Sequence, residues 1–572
     1  MSDADTLHNR ARAALSQGDL KTAGAALQMA IAAAPRRADI RNTAGDLLLA
    51  MERPREALGA YEDALTLDAG HVRARINLGR TLTDLARPSE ALTVLAPFEA
   101  AAIPDGHAAR AMALLTAGRA EEALTAAEAA LAIRPDHGPG LFAKGRALTA
   151  LLRFDEAREA LSAAAGQSPG EPGLLNALGE ACLGAGDLDG AGDAFEKALG
   201  RAPTLAPALE GLAQIRWMQG RAEQVDAPFE AARAARPDNP DPWYRQALTL
   251  RRMERRRDAL ALLREAENRF GHRPAFDFLA ADLLREEGAL EEALVRAERA
   301  HGESKGDWAA ATSLVKVLLQ RGEADRALSL CKAALGADPL DQFWLAYAAT
   351  AGRALGHPPA ERLADYAALT AITDIPPPPG HADTAAFNRA LADRLDRLHK
   401  AVRRPLDQTL RGGTQTTQPL NRLGDPLLDA FFEALRPAVD AFIAAMPDDP
   451  DHPFFGRKAD RWRLSGAWSV RLQPEGFHVS HFHGEGWISS AYYVDLPPDM
   501  AADANGSEPR PGWLTFGEPP IPVPGAQGPE RAVQPRIGRL ALFPSCLWHG
   551  TVPFAGQKPR LTIAMDIVPC SN

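Results

Sequence analysis

Three histidines within one short stretch are the residues most suited to chemistry in this sequence. They are His478, His481 and His483, in GFHVSHFHGEGW. Side chains alternate across a strand, so His481 and His483 share one face and His478 takes the other. The third ligand for a metal ion has to come from elsewhere, and His549, after the apolar run RLALFP, is the candidate. Imidazole ligands with open positions suit iron, copper or zinc.

A lone histidine is more often a structural residue that makes a hydrogen bond, and we interpret His452 and His478 in that way. For His481, His483 and His549, the shared strand parity and the flanking apolar runs favour a metal site.

Short apolar and aromatic runs surround the histidines, separated by Pro, Gly, Asn and Asp. This pattern predicts the strands of an antiparallel sandwich or barrel. The runs are WSVRL, WISSAYYVDL, GWLTF, RLALFP and RLTIAMDIV. Upstream, residues 385–403 and 427–446 have the spacing of amphipathic helices, which would pack outside the sheet.

A period of 34 residues organises the first two thirds of the chain. In many units a bulky residue, such as Tyr61 or Leu161, lies four positions after the small residue, and another small residue lies seven positions after it, which places all three on one helical face. Several units end at a proline, where a helix must stop. The small residues that mark the period are Ala157, Ala191, Val225, Ala259, Ala293 and Ala327.

The period fades after Pro339, and four successive prolines, Pro376 to Pro379, then form a stretch that neither a helix nor a central strand could contain. We therefore predict a repeat solenoid over residues 1–340, a capping helix and Pro-rich linker over 341–384, and a β domain over 385–572. The expected fold class is an α + β multidomain protein, with an N-terminal α-solenoid and a C-terminal antiparallel sandwich or barrel.

Composition excludes several classes of protein. A net charge of -10 argues against a nucleic-acid-binding surface over the whole molecule, because binding phosphates needs a net basic field. The four cysteines lie far apart, which disfavours a disulfide framework and a CxxC zinc site. No stretch reaches the roughly 20 apolar residues of a membrane span. We expect a cytoplasmic protein with no nucleic-acid or membrane partner.

The repeats resemble the tetratricopeptide repeat, in units such as LLNALGEACLGAGDLDGAGDAFEKALGRAP. The resemblance implies a superhelix whose concave face binds a protein or peptide; the alternative is a spacer or dimerisation element. One unit carries a basic run, which is typical of a solvated edge, with a docking site for acidic peptides as the alternative. The run consists of Arg251, Arg252, Arg255, Arg256 and Arg257.

The C-terminal part resembles the iron(II)/2-oxoglutarate-dependent oxygenases of the double-stranded β-helix type, which implies a C-terminal jelly roll. The matching pieces are HFHGEGWISSAYYV, GRLALFPSCLWHGTVPF and KPRLTIAMD, with PLDQTLRGGTQT upstream. The resemblance implies that His481 and His549 bind iron(II) and that Arg560, with Thr562 beside it, holds the far carboxylate of 2-oxoglutarate. Tyr492 is a candidate to hydrogen-bond 2-oxoglutarate, with a core position as the alternative. Residues 408–415 form either a substrate or co-substrate loop or an ordered turn.

His483 occupies the place where these oxygenases most often have aspartate, and two ligand sets remain open. In the first, His481, His483 and His549 bind the metal together. In the second, His483 and Glu485 supply the histidine and the carboxylate, and His481 supports them from outside. We favour the first, because Gly484 and Gly486 indicate that the strand has given way to a turn around Glu485.

The expected activity is that of a dioxygenase that uses iron(II), 2-oxoglutarate and molecular oxygen to hydroxylate a protein or peptide recruited by the repeats. One alternative is a protein-interaction scaffold with an inactive barrel. Another is a three-histidine, cupin-type dioxygenase that does not use 2-oxoglutarate, in which Arg560 would be structural.

Overall fold

The computed structural model describes residues 3–304, 306–356, 362–500 and 511–570. The chain divides into two compact units, residues 1–185 and 186–572. The first unit is built of helices that follow one another as hairpins. They are α1 (Asp3–Ser16), α2 (Leu20–Ala33), α3 (Ala38–Ala50), α4 (Pro54–Leu67), α5 (Val72–Asp84), α6 (Pro88–Leu95), α7 (Pro104–Thr116), α8 (Ala120–Ile133), α9 (Gly138–Ala150), α10 (Phe154–Gln167) and α11 (Pro172–Gly184).

The second unit contains further helical hairpins and the β domain. Its helices are α12 (Leu188–Arg201), α13 (Ala206–Met218), α14 (Ala227–Ala235), α15 (Asp241–Arg252), α16 (Arg256–Phe270), α17 (Pro274–Glu286), α18 (Leu290–Glu303), α19 (Ala311–Gln320), α20 (Ala324–Ala337), α21 (Gln342–Leu355), α22 (Tyr366–Leu369), α23 (Thr384–Asp396) and α24 (Pro426–Ala445). Its strands are β1 (Ala371–Asp374), β2 (Leu410–Gln415), β3 (Trp462–His478), β4 (Ile488–Asp495), β5 (Leu514–Phe516), β6 (Arg531–Val533), β7 (Arg539–Pro544), β8 (His549–Thr551) and β9 (Arg560–Pro569).

Glycines in the first helix of a hairpin explain how the repeats pack. A Cβ atom at Gly45 would lie 2.4 Å from the Tyr61 ring, and one at Gly145 would lie 2.4 Å from Leu161. Tyr61 and Leu161 are the bulky residues of the repeat pattern, and both are fully buried. The two helices approach closely only because the glycine leaves room for the bulky side chain. The predicted array of tetratricopeptide-like hairpins is thereby confirmed.

Replacing Gly145 with alanine is expected to lower the free energy of unfolding by about 1–3 kcal/mol, because the added methyl group overlaps Leu161. Gly166, in the partner helix α10, is the matched control, since nothing lies within 4 Å of a Cβ atom there. Alanine at that position should stabilise the helix by up to about 1 kcal/mol. Urea denaturation followed by circular dichroism checks both variants. Equal midpoints for the two would contradict the packing argument.

Within the described residues, the β domain contains two antiparallel sheets. The larger has six strands in the order β1-β7-β4-β9-β3-β2, and the smaller has three in the order β6-β5-β8. This arrangement is consistent with a double-stranded β-helix, as the sequence predicts. The apolar core includes Phe431 of α24, Phe387 of α23 and alternate residues of β9 such as Ile563. The helices predicted over 385–403 and 427–446 are thus present, over slightly different ranges, outside the large sheet.

The predicted linker region also takes part in the fold. Helix α21 buries Tyr347 against Trp548, with ring centres 5.1 Å apart, and the Trp548 indole donates a hydrogen bond of 2.8 Å to Thr350 Oγ1. Strand β1 pairs with β7 along the edge of the large sheet. The boundaries at 340 and 384 stay a prediction.

Helices long and apolar enough to cross a membrane do not occur among the described residues.

Candidate metal centre

Three histidine side chains converge in the second unit. One ligand atom from each of His481, His483 and His549 lies within 4.8 Å of the other two. His481 and His549 form an isolated antiparallel pair, with reciprocal backbone hydrogen bonds of 2.9 and 2.8 Å. Directly opposed residues place their side chains on the same face, and the two ring centres lie 4.2 Å apart. These distances suit three ligands of one ion.

Hydrogen bonds at the Nδ1 atoms determine which ring nitrogen is free. Nδ1 of His481 lies 2.8 Å from the Val479 carbonyl oxygen, and Nδ1 of His549 lies 2.9 Å from that of Leu547. A carbonyl oxygen only accepts, so both Nδ1 atoms carry the proton and donate. In a neutral ring the Nε2 lone pair is then available. The backbone therefore orients both imidazoles for binding through Nε2.

The electrostatic environment keeps these rings neutral. Burial, with a further contribution from the neighbouring His483, lowers the pKa of His481 to about 3. Burial, with further contributions from the neighbouring His481 and His483, also holds the pKa of His549 well below its usual value. Neutral imidazole is the form that binds a metal ion, since a protonated ring has no free lone pair.

The histidine segment differs from its prediction as a strand. Strand β3 ends at His478, and beyond it only His481 makes a single β-bridge. His483 is held instead by its backbone N–H, which donates 2.9 Å to the Ser545 carbonyl. Glu485 lies in a bend with its side chain exposed, and it does not belong to the group of convergent ligands. The alternative set based on Glu485 is thus not assembled, because the chain has turned away there.

A carboxylate lies behind His483. Its Nδ1 atom is 2.6 Å from Asp566 Oδ1, and Ser489 Oγ donates 2.7 Å to the same oxygen. Gly486 allows this cluster to form, because a Cβ atom at Gly486 would lie 2.2 Å from Ser545 Oγ and 3.5 Å from Asp566 Cγ. The carboxylate holds the proton on Nδ1, which leaves Nε2 of His483 for a metal and makes it a stronger donor.

Replacing Asp566 with asparagine is expected to weaken Fe(II) binding by about 10–100-fold, the usual effect of losing such a support of a ligand. An anaerobic Fe(II) titration measures this. The matched control is Asp495→Asn, since among the described residues the Asp495 carboxylate accepts a hydrogen bond from the Leu496 N–H alone, at the end of β4. Unchanged affinity in the Asp566 variant would show that the carboxylate does not support the ligand.

The convergent histidines lie in a cavity of about 380 Å³ between the two sheets. Arg560 and Thr562 of β9 line the same cavity, together with Thr551 of β8. Arg560 is 3% exposed, and its Nη1 atom donates 3.2 Å to Thr551 Oγ1. Among the described residues, its Nε atom has no hydrogen-bond partner and no carboxylate pairs with its guanidinium group. Burial lowers the pKa of Arg560, yet an arginine stays charged at neutral pH.

An unpaired buried cation is costly unless a ligand completes it. The cavity is therefore suited to an anion next to the histidines.

Tyr492 lies away from this cavity. Its hydroxyl donates 2.8 Å to Asn388 Oδ1, and its ring packs against Phe431, with ring centres 4.8 Å apart. The alternative of a core position is the one that the structure adopts, because this side of β4 faces the helices. The neighbouring Tyr493 lies beside the arginine instead, with Arg560 Cζ 5.1 Å from its ring centre.

Some residues of the cavity were not identified as site residues from the sequence. Asp566 shares strand parity with Arg560 and Thr562, and this signal could have revealed it. His478, interpreted from the sequence as structural, also lines the cavity, with its ring stacked on His481 at 5.4 Å. Residues 410–415 of the 408–415 stretch form strand β2, and the stretch contributes Gln408, Thr409 and Gln415 to the cavity wall.

Comparison with known protein families gives matches in both parts of the chain. Residues 466–566, which contain all three convergent histidines and Arg560, match the family described as "Putative 2OG-Fe(II) oxygenase". Tetratricopeptide repeat families match residues 48–115, 142–207 and 284–349. No curated protein matches the chain.

Among solved structures, TTC0263, a thermophilic TPR protein in Thermus thermophilus, is 24% identical, with a TM-score of 0.29. The match covers 32% of this chain and 99% of that one. MamA 41-end from Desulfovibrio magneticus RS-1 is 22% identical, with a TM-score of 0.25, over 29% of this chain and 97% of that one. The chain carries tetratricopeptide repeats in its N-terminal part, followed by a C-terminal domain of the "Putative 2OG-Fe(II) oxygenase" family.

Proposed function

We propose that this protein is an iron(II)- and 2-oxoglutarate-dependent dioxygenase that hydroxylates a protein or peptide recruited by its repeats. The observation that carries the proposal is one cavity that contains both three convergent histidines and a buried arginine without a carboxylate partner among the described residues. Family membership of residues 466–566 supports the same assignment. When bound, iron(II) and 2-oxoglutarate supply oxygen activation and insertion of one oxygen atom into a C–H bond, with release of succinate and carbon dioxide.

The residues present fit this pair of groups. The Nε2 atoms of His481, His483 and His549 would bind iron(II), because each Nδ1 is already engaged. The planar guanidinium of Arg560 would pair with a carboxylate of 2-oxoglutarate, for which an arginine fork is well shaped. Thr562 and Thr551 are hydroxyl donors beside it on the cavity wall.

Three neutral histidines bring no charge to iron(II), whereas the usual set of the resembling oxygenases contains a carboxylate. In this chain Asp566 supplies a negative charge one hydrogen bond further out, through His483. It positions the ring and raises the basicity of Nε2. Apolar side chains of the cavity, such as Val470, Leu514 and Phe543, limit the access of water to the reacting groups.

The direct test is an anaerobic titration of the full-length protein with Fe(II) and 2-oxoglutarate, followed by visible absorption. A metal-to-ligand charge-transfer band that needs both additions is the expected result. Intact protein that binds Fe(II) but develops no band with 2-oxoglutarate would contradict the proposal.

The histidine-only ligand set favours one second candidate, a three-histidine dioxygenase that does not use 2-oxoglutarate. That protein would bind Fe(II) through the same residues and ignore 2-oxoglutarate. Binding of Fe(II) without the charge-transfer band is therefore its expected signature.

A further inference from the structure

A second cavity, of about 860 Å³, adjoins the metal-centre cavity in the same unit. Asp407, Gln408 and Thr409 line both cavities, so the two share a wall. We call the second cavity the basic groove. Its cationic side chains come from the repeat helices α15, α16, α17 and α19 and from strand β2; they are Arg251, Arg252, Arg256, Arg285, Lys316 and Arg411.

Positive charge exceeds negative charge in the basic groove. Among the described residues, three carboxylates line it, those of Glu254, Glu286 and Asp407, against six cations. Asp282 lies beneath its floor, 2.8 Å from Arg251 and 3.7 Å from Lys316, and still leaves an excess of cations. The whole chain has a net charge of -10, so the groove opposes the charge of the molecule around it. Such a local reversal attracts an anionic partner.

The basic run of residues 251–257 is divided between two environments. The Arg257 side chain is 91% exposed, as expected of a solvated edge. Arg252 instead lines the groove, and its side chain makes no ion pair among the described residues. Arg251 and Arg256 also line the groove, where both pair with Glu286. A free cation on the wall of a groove is available to a ligand, whereas a paired one is partly neutralised.

The side of the groove formed by the β domain is partly apolar. Phe477, Val479 and Ile521 of the β domain line it. An extended peptide presents alternate side chains to opposite sides, so acidic and apolar residues in alternation would match both walls. Repeat arrays commonly bind extended segments of other proteins on such surfaces. A nucleic acid fits less well, since its sugar-phosphate backbone offers no apolar side chains to Phe477, Val479 and Ile521.

We propose that the protein substrate is recognised through an acidic, extended segment that lies in the basic groove and brings the target residue into the adjoining cavity. Only the delivery of the target residue to the adjoining cavity rests on the proposed function. Binding of the acidic segment itself needs no metal. The wall formed by residues 407–409 is common to both cavities, so the bound segment and the metal centre would lie next to each other.

Fluorescence anisotropy of the full-length, metal-free protein tests the inference. The probe is a fluorescein-labelled peptide of alternating glutamate and leucine, and the control probe replaces glutamate with lysine. We expect saturable binding of the acidic peptide alone, weakened by added salt. Arg252→Glu should weaken it about tenfold, equivalent to about 1.4 kcal/mol. Arg257→Glu, the same change in the same basic run, should leave it unchanged.

Two outcomes would overturn the inference. One is equal binding of the acidic peptide to the Arg252→Glu and Arg257→Glu variants, or no binding at all. The other is equal or tighter binding of the basic peptide or of a labelled oligothymidine. Circular dichroism verifies that the variants are folded. The charge-transfer titration on the same variants tests the oxygenase proposal separately. Peptide binding without the band supports peptide recognition in the basic groove and contradicts the oxygenase proposal. The band without peptide binding supports the oxygenase proposal and contradicts peptide recognition in the groove.

Discussion

We expect that replacing Arg560 with alanine abolishes the charge-transfer band at moderate 2-oxoglutarate concentration, while Fe(II) still binds. The guanidinium is buried on the cavity wall, and loss of one partner of a buried, hydrogen-bonded charge pair costs about 3–5 kcal/mol. At 1.4 kcal/mol per factor of ten, the affinity for 2-oxoglutarate falls by at least about a hundredfold. Titrating 2-oxoglutarate into the Fe(II)-loaded variant measures the change.

Arg539→Ala is the matched control for this experiment. Arg539 also begins a strand of the large sheet, but its side chain pairs with Asp374 at the sheet edge, outside the cavity. Its 2-oxoglutarate affinity should match that of the unaltered protein. If Arg560→Ala binds 2-oxoglutarate normally, the arginine is structural and does not hold the co-substrate.

Alanine in place of His549 is expected to eliminate Fe(II) binding at concentrations that saturate the unaltered protein. Loss of a residue that merely supports a ligand weakens metal affinity by about 10–100-fold, and loss of the ligand itself should exceed that range. His549 is buried, and its ring lies directly beside that of the paired His481. Anaerobic Fe(II) titration with a competing chelator measures the affinity.

His381→Ala provides the comparison for the His549 variant. The His381 ring lies against Phe387, with ring centres 4.8 Å apart, and it does not line the cavity. Its removal should leave Fe(II) affinity unchanged. Retained binding in His549→Ala, with folding verified by circular dichroism, would mean that the three histidines do not share one ion.

The repeats were predictable from the sequence because each unit repeats the same local pattern of helices and turns. Gly186, Gly220, Gly288 and Gly322 all adopt positive φ angles of 74–84°, as turn glycines should, and period, turn and glycine packing reinforce one another. The strands were predictable for a related reason: apolar runs such as RLALFP coincide with β7, residues 539–544.

The site was only partly predictable, since it depends on non-local geometry. Strand parity grouped His481 with His483, but the segment is not a regular strand, and pairing with His549 and Ser545 brings the rings together. Parity places Tyr492 and Tyr493 on opposite faces of β4, but the sequence does not show which face the helices cover. Contacts between distant segments, such as Asp566 with His483, decide both questions.

The edge pairing of β1 with β7 limits how the chain can be dissected. A polypeptide that begins at residue 385 would lack β1 and α21. Strand β7 would then expose an unpaired edge, which invites self-association, and Trp548 would lose the aromatic and hydroxyl contacts of Tyr347 and Thr350. An isolated β domain therefore needs α21 and β1. A fragment that starts near residue 340 is the shortest one suited to studying the domain alone.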